Sequence, residues 1–378
     1  MSVTIRDVAK RAKVSPATVS NVINHKAFVD PEIRERVLRA IDELGYRPSR
    51  LARGLRRPRK TDSKRFITLL GLSMPHYYTE GMRVMAEAVK HRAAERGAQV
   101  IQYFSDNDAE KQVAQVSEKV SRRVDAVICY PVDGRAIERG VEECVLAGIP
   151  FISLNRFSHG DVYAVVKSDD SQAGNDLGIY LALAGGKKKH RILELAGDEA
   201  DDNSLLRGEG FRWAIKNWPG HEIVATLCHR WSMEEAKRAV EQAIDRNIPF
   251  NTIYCHNDEL AEGALAALQK AGMLYPGDHP DHITLLGVDG NRFALENIQS
   301  GFMDATSEQL LWEQGELAVD FALDSLEGKP PQETTVSLPT RLVALANMQE
   351  TPDHWAYRQK IGEDKSIPSA GNSMESNS

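Results

Sequence analysis

The chain has 378 residues, 42% of them hydrophobic and 27% charged, with a formal net charge of −7. This is more than one ordinary core needs, so two or three domains are expected, and the composition is that of a water-soluble globular protein. No window approaches the roughly eighteen consecutive apolar residues of a helical membrane span. The charged N-terminus is unlike a signal peptide, and Cys129, Cys144, Cys228 and Cys255 show no C-x-x-C spacing. A cytoplasmic protein without membrane contact, disulfide framework, metal site or cofactor is expected.

The first predicted elements are short helices. Ile5, Val8, Ala9 and Ala12 recur at helical spacing behind Thr4 as N-cap, and after a break at Lys13-Val14 a second helix opens at Ser15. Ser15 can accept from the free N–H groups of that helix, while Pro16 at its first position lacks an N–H that had no partner anyway. Val19, Val22 and Ile23 turn inward. Ala17, Thr18, Ser20, Asn21 and Asn24 then form an outward face that suits a DNA major groove, where Asn can bond adenine and methyl groups can touch thymine. Asp30-Pro31 opens a third helix, whose Ile33, Val37, Leu38, Ile41 and Leu44 complete a small core before Gly45. A three-helix domain with an idle surface would show the same pattern, but the next segment adds an independent signal. Seven of the fourteen residues from Arg47 to Lys60 are basic and none is acidic. Residues 1–60 carry fifteen Lys/Arg against six Asp/Glu, and the remainder 32 against 48, so DNA would bind a basic head and be repelled by an acidic body.

These residues resemble the LacI/GalR family of bacterial transcription regulators. The resemblance rests on Thr4-Ile5-Arg6-Asp7-Val8-Ala9, Val14-Ser15, Thr18-Val19-Ser20, Val22-Ile23-Asn24, Gly45-Tyr46-Arg47-Pro48 and the 52–55 segment. It implies a recognition helix in the major groove and, after the third helix, a hinge helix in the minor groove, with Leu55 as an apolar wedge between central base pairs. The DNA-facing set is then Thr4, Ser15, Pro16, Ala17, Thr18, Ser20, Asn21, Asn24, Tyr46, Arg50, Arg53 and Leu55. Pro16 and Ala17 replace larger hydrogen-bonding side chains common in the family, which concentrates base reading on Asn21.

From Phe66 the chain alternates apolar runs with amphipathic stretches. Strands are expected at 66–72, 99–104, 126–130, 151–154, 191–195, 223–227, 252–255 and 283–288, with helices between them closing near Gly97, Gly148, Gly185, Trp218 and Gly272. Such alternation predicts an α/β fold of parallel sheets covered on both faces. Eight units could close into a barrel; two doubly wound lobes are the arrangement that resemblance implies. The body is similar to that family's effector domain and to bacterial ribose-type sugar-binding proteins, through 149–156, Ser168-Asp169-Asp170 with Gly174, 193–197, Arg207-Gly208-Glu209-Gly210-Phe211, 256–261, 287–290 and Ala305-Thr306 with Gln309.

A sugar offers vicinal hydroxyls and apolar C–H faces, so its site needs forked or bidentate polar groups and aromatic walls. Arg156 and Arg207 supply donors, Asp289 an acceptor, and Asn155, Asn257 and Gln309 both. By resemblance Trp231, Tyr77 and Tyr78 stack against the ring. Each residue singly could be a cap or a core group; together they fall at strand ends, where open α/β sheets place ligands. The family's common Asp-Arg pair reads Asn155-Arg156 here, and Pro75 and Tyr130 stand where ribose-type proteins carry Asn. This points away from ribose and toward a less hydroxyl-rich or anion-bearing ligand.

The sequence thus predicts a helix-turn-helix domain at 1–46, a hinge helix and basic linker at 47–65, a two-lobed periplasmic-binding-protein-like effector and dimerisation domain at 66–350, and a disordered tail at 351–378. The function expected is a sequence-specific repressor, a homodimer on double-stranded operator DNA, controlled by a sugar, polyol or sugar acid. The alternative is a stand-alone sugar-binding or sugar-converting protein, but no nucleophile, base or metal spacing supports catalysis, and no catalytic residue is assigned.

Overall fold

A computed structural model describes residues 5–15, 18–19, 22, 31–44, 67–184, 189–216 and 218–348. At the N-terminus, α1 (Ile5–Ala12) and α2 (Pro31–Leu44) enclose a small core of Val8, Ala9, Ala12, Val19, Val22, Val37 and Ala40. Ser15 Oγ accepts from the Thr18 N–H at 3.0 Å, the cap bond expected where a second helix opens. One expected core residue is displaced: Leu38 is exposed and Ala40 faces inward instead.

The body folds into two lobes, each a six-stranded sheet between helices. The first lobe contains β1 (Thr68–Met74), α3 (Glu80–Glu95), β2 (Ala98–Phe104), α4 (Ala109–Ser121), β3 (Ala126–Cys129), α5 (Glu138–Ala147), β4 (Phe151–Leu154) and β5 (Ala164–Ser168). The chain then crosses into the second, through α6 (Asp170–Ala184), β6 (His190–Ala196), α7 (Asp202–Ile215), β7 (His221–Cys228), α8 (Met233–Asp245), β8 (Thr252–Cys255), α9 (Asp258–Lys270), β9 (Thr284–Asp289), α10 (Arg292–Gln299) and β10 (Ala305–Glu308). It returns for α11 (Leu311–Leu326) and β11 (Thr335–Leu338), and crosses once more to β12 (Arg341–Ala344). Three crossovers therefore join the lobes, at 168–170, 308–311 and 338–341.

The strand orders are β2-β1-β3-β4-β5-β11 and β7-β6-β8-β9-β10-β12. All neighbours are parallel except β12, which runs antiparallel to β10. Two open sheets replace the barrel alternative. Central strands such as β3 and β8 are buried along their whole length, because helices cover both faces. In the first lobe α3 and α11 pack on one face and α4 and α5 on the other. In the second, α8, α9 and α10 cover one face and α6 and α7 the other. Among the described residues no helix is long and apolar enough to cross a membrane, and all four cysteines are unpaired.

The α6–α7 crossing explains two glycine motifs. A Cβ at Gly174 would lie 2.0 Å from the Arg207 carbonyl oxygen, and one at Gly210 would lie 2.1 Å from that of Ser171. The helices touch backbone to backbone, and this seats Arg207 against the cleft. Gly174→Ala is expected to destabilise the second lobe by at least the about 1–3 kcal/mol usual for overpacking, because backbone rather than a flexible side chain must yield. Thermal unfolding of the variant checks this; an unchanged melting temperature would show that the crossing tolerates separation.

Candidate functional site

Between the lobes lies a cleft of about 1830 Å³, larger than one sugar ring needs, so a small ligand would occupy only its inner end. It is built from the C-terminal ends of strands in both sheets: Pro75 and His76 after β1, Tyr130 after β3, Asn155 and Arg156 after β4, Trp231 beyond β7, Asn257 after β8, Asp289 ending β9 and Gln309 after β10. Of the nine residues predicted for an effector site, eight line this cleft: Tyr78, Asn155, Arg156, Arg207, Trp231, Asn257, Asp289 and Gln309. Tyr77 does not. Its exposed ring lies against Phe104, with centroids 5.2 Å apart.

Arg207 is buried on α7. Its Nε donates to Asp170 Oδ1 at 2.9 Å and its Nη1 to the His256 carbonyl at 2.7 Å, with Asp289 Oδ1 3.7 Å away. The guanidinium also faces the Trp231 ring at 5.6 Å. Trp231 is fixed in turn by its Nε1 donating to Asp201 Oδ2 at 2.9 Å. Room for the indole comes from Gly197, where a Cβ would meet the ring at 2.4 Å.

Asn155 carries a left-handed backbone, φ 61°. Its Nδ2 donates to Gln309 Oε1 (3.2 Å) and Gln314 Oε1 (3.0 Å), and its Oδ1 accepts from Asn203 Nδ2 (3.2 Å) in the opposite lobe. Gln309 completes the line by donating to Asp289 Oδ1 at 2.5 Å and accepting from Ser168 Oγ at 2.8 Å. Arg156 lies over the Tyr130 ring at 5.4 Å, donates to the carbonyls of Pro131 and Val132, and pairs across the cleft with Asp201. Asn257 has spent its Oδ1 on capping α9, accepting from the Leu260 N–H at 2.9 Å. Tyr78 stacks on His76, centroids 3.9 Å apart, and its hydroxyl accepts from Asn107.

The acids of the second lobe crowd one another. Burial pushes the Asp289 carboxyl up to about 6, with Arg207 pulling it back, and pushes Glu259 up to about 7, with Asp289 adding to the rise. Asp258, wholly buried, is held far above the carboxylate range by burial and then by Asp289, although Thr306 Oγ1 and the Asn291 N–H both donate to it. Behind the wall, His256 Nε2 sits 3.0 Å from Glu194 Oε1 and its Nδ1 sits 3.0 Å from Ser204 Oγ. The Gly197 N–H points at Nδ1, so Nδ1 accepts and the proton is on Nε2, facing Glu194. This acid–imidazole–hydroxyl line is buried and none of it lines the cleft; it orients the Arg207 anchor.

Sequence reasoning missed Asp201 and Asn203, two residues apart at the start of α7, which reach across to Arg156 and Asn155. The only signal was the run of acids from 198 to 202 ahead of the Arg207 motif. Among the described residues one exposed group, His91, Glu95 and Glu316, brings three ligand-type atoms within 4.8 Å, but Arg92 and Trp312 already engage the two acids. Of the residues predicted to face DNA, Ser15 and Thr18 are described, joined by the cap bond and by a 2.9 Å contact between their hydroxyls. Thr4, Pro16, Ala17, Ser20, Asn21, Asn24, Tyr46, Arg50, Arg53 and Leu55 lie outside the described residues.

Residues 70–330 match the periplasmic binding protein domain, and residues 4–49 match the bacterial regulatory proteins of the lacI family. The HTH-type transcriptional repressor PurR of Klebsiella pneumoniae is 30% identical over 361 residues, covering 92% of this chain and 98% of that protein. The ribose operon repressor of Halalkalibacterium halodurans is 28% identical over 340 residues, covering 90% and 95% respectively. Among solved structures, a solute binding protein of an ABC transporter from Bacillus halodurans with bound myo-inositol aligns with a TM-score of 0.68 at 28% identity, covering 77% of this chain and 98% of that one. The chain belongs to the lacI family of bacterial regulatory proteins and is a DNA-binding transcription repressor with a two-lobed, periplasmic-binding-protein-like domain for a small-molecule effector.

Proposed function

We propose that this repressor is controlled by a carbohydrate-like effector held between the lobes, and that two copies of the chain read a two-fold symmetric operator from the cytoplasm. The observation that carries the effector reading is the convergence of amides, a carboxylate, two guanidiniums and aromatic rings at the strand ends around one cleft. The solute binding protein with bound myo-inositol supports the same chemistry. Dimerisation follows from operator geometry, since half-sites related by symmetry need two heads. The proposed division remains 1–46 for the head, 47–65 for the hinge, 66–350 for the effector domain and 351–378 for the tail, with no catalytic role for any residue. Titrating the full chain with myo-inositol, D-ribose and L-arabinose while following thermal unfolding tests it: ligand at a hundred times its dissociation constant adds about 2.7 kcal/mol. No shift with any polyol or sugar would overturn the reading.

Two further outcomes are expected. Asp289 is proposed to accept from an effector hydroxyl as an ionised carboxylate. With its pKa near 6, binding takes up the ionised form and affinity falls as pH drops; from pH 7 to pH 5 the dissociation constant should rise about tenfold. Asp289→Asn should weaken binding at pH 7 by about 1.5–3 kcal/mol and remove that slope. The fold has the opposite preference: a carboxyl whose pKa is raised above its unfolded value stabilises the native state below about 4 and loses that contribution as pH rises through about 6. Calorimetric titration across pH, beside melting curves of the free proteins, separates the two.

For the head, Asn21→Ala should lower affinity for the specific operator by about 1–3 kcal/mol and leave random duplex binding nearly unchanged, because the arginines meet phosphate. Equal loss on both duplexes in gel-shift titrations would refute a base-reading role.

A further inference from the structure

The cross-cleft ion pair suggests how the site selects among effectors. We infer that Asp201 is a specificity-determining residue: by crossing from the second lobe to neutralise Arg156 of the first, it bars anionic groups and leaves a site for an uncharged polyhydroxyl effector. This rests on the carbohydrate reading of the cleft.

Asn155 stands where a carboxylate beside Arg156 was expected, and its loss alone would leave a guanidinium able to receive a carboxylate or phosphate. The structure returns that charge from the other side. Asp201 is buried, and its Oδ2 takes both the Arg156 Nη2 and the Trp231 Nε1. Arg156 Nη1 is divided between the carbonyls of residues 131 and 132. Nε of Arg156 has no partner, and an oxyanion brought to it would share the guanidinium with the Asp201 carboxylate already seated on Nη2.

Two neighbouring buried cations are matched too. Arg207 and Lys167 both face Asp170, at 2.9 Å each, and Arg207 also faces Asp289. Against these three cations stand the carboxylates of Asp170, Asp201 and Asp289, so no cation is left over for an anionic ligand group. An incoming anion would therefore meet like charge in a partly desolvated space.

Asn203 adds a separate observation. Its Nδ2 donates to Asn155 across the cleft, while its Oδ1, in a residue only 3% exposed on the cleft wall, has no partner. That oxygen needs a donor, which a hydroxyl supplies and a carboxylate or phosphate oxyanion does not.

Isothermal titration of the full chain with three matched pairs tests this: myo-inositol and its 1-phosphate, D-ribose and its 5-phosphate, D-galactose and D-galacturonate. At least one uncharged member should bind, and its anionic counterpart should bind at least about tenfold more weakly, a difference of about 1.4 kcal/mol. Asp201→Asn should narrow that ratio about tenfold; Asn caps a helix as well as Asp, so α7 is preserved, and melting of the free variant confirms it. Adding Arg156→Gln to that variant removes the guanidinium that Asp201 had neutralised and should restore the ratio. If Asp201→Asn binds neither member, recovery of the uncharged one in the double variant supports the role and continued loss refutes it. An anionic member binding the natural chain as tightly as its counterpart, or a ratio indifferent to Asp201→Asn, overturns the inference while leaving the carbohydrate reading intact. No binding by any of the six overturns both.

Discussion

Arg207 is a guanidinium almost entirely out of water, and much of the second lobe is arranged to make that tolerable. A buried charge needs a counter-charge and a partner for its N–H groups, or its desolvation outweighs what it contributes. Asp170, at the crossover into α6, supplies the first; the His256 carbonyl supplies part of the second. Each contact fixes a different piece of chain. The backbone-tight crossing of α6 and α7 puts the carboxylate and guanidinium in register, and Tyr254 donates to the Arg207 carbonyl at 3.0 Å while stacking on Phe211. The contacts that match this charge are also the ones that fix the cleft wall.

The lobes are joined differently. Asn155, Ser168, Gln309 and Gln314 form a buried run of amides and a hydroxyl spanning two of the three crossovers. Amides hold geometry without a fixed charge, so exchanging their bonds would carry a lower desolvation cost than breaking an ion pair. The Arg156–Asp201 pair also crosses the cleft, and farther out the Arg292 N–H donates to Glu80 across 212 residues. A ligand could shift the relation between the lobes only by binding one arrangement better than another. Asn155, Arg156 and Gln309 both line the cleft and take part in the contacts that join the lobes.

The strands visible in the sequence were those whose burial on both faces leaves an unbroken apolar run, such as Ala126–Cys129. The four missed ones each break that rule. β5 contains Lys167, tolerable because Asp170 pairs with it; β10 reads Ala-Thr-Ser-Glu; β11 and β12 are edge strands exposed along part of their length. Lys119 was illegible for a similar reason. It lies buried under Gly71 and against the Tyr103 ring at 4.0 Å, and burial lowers its pKa to about 8. Sequence period alone assigns a lysine to solvent. The cleft residues were legible where they belong to strand-end motifs. Asp201 and Asn203 belong to a helix start whose neighbours are fixed only when the lobes meet, and no local pattern records that encounter.

Two backbone strains mark where the site matters most. Asn155 at φ 61° and Asp289 at φ 127° sit in the left-handed half of conformational space, a region that glycine enters freely and that costs an Asp of order 1–3 kcal/mol when far from the ordinary left-handed well. Glycine would relieve both positions. Yet the two side chains meet through one residue: Asn155 donates to Gln309 Oε1, and Gln309 Nε2 donates to Asp289. Replacing either by glycine would exchange strain for an unpaired buried amide at the hinge, a loss of similar size. The strained backbone is the geometry that turns the Asn155 amide and the Asp289 carboxylate, ending strands in opposite lobes, toward the same glutamine. Asp289 thereby keeps an oxygen 3.7 Å from Arg207 while lining the cleft, so the cleft wall and the crossover geometry are set by one hydrogen-bonded line.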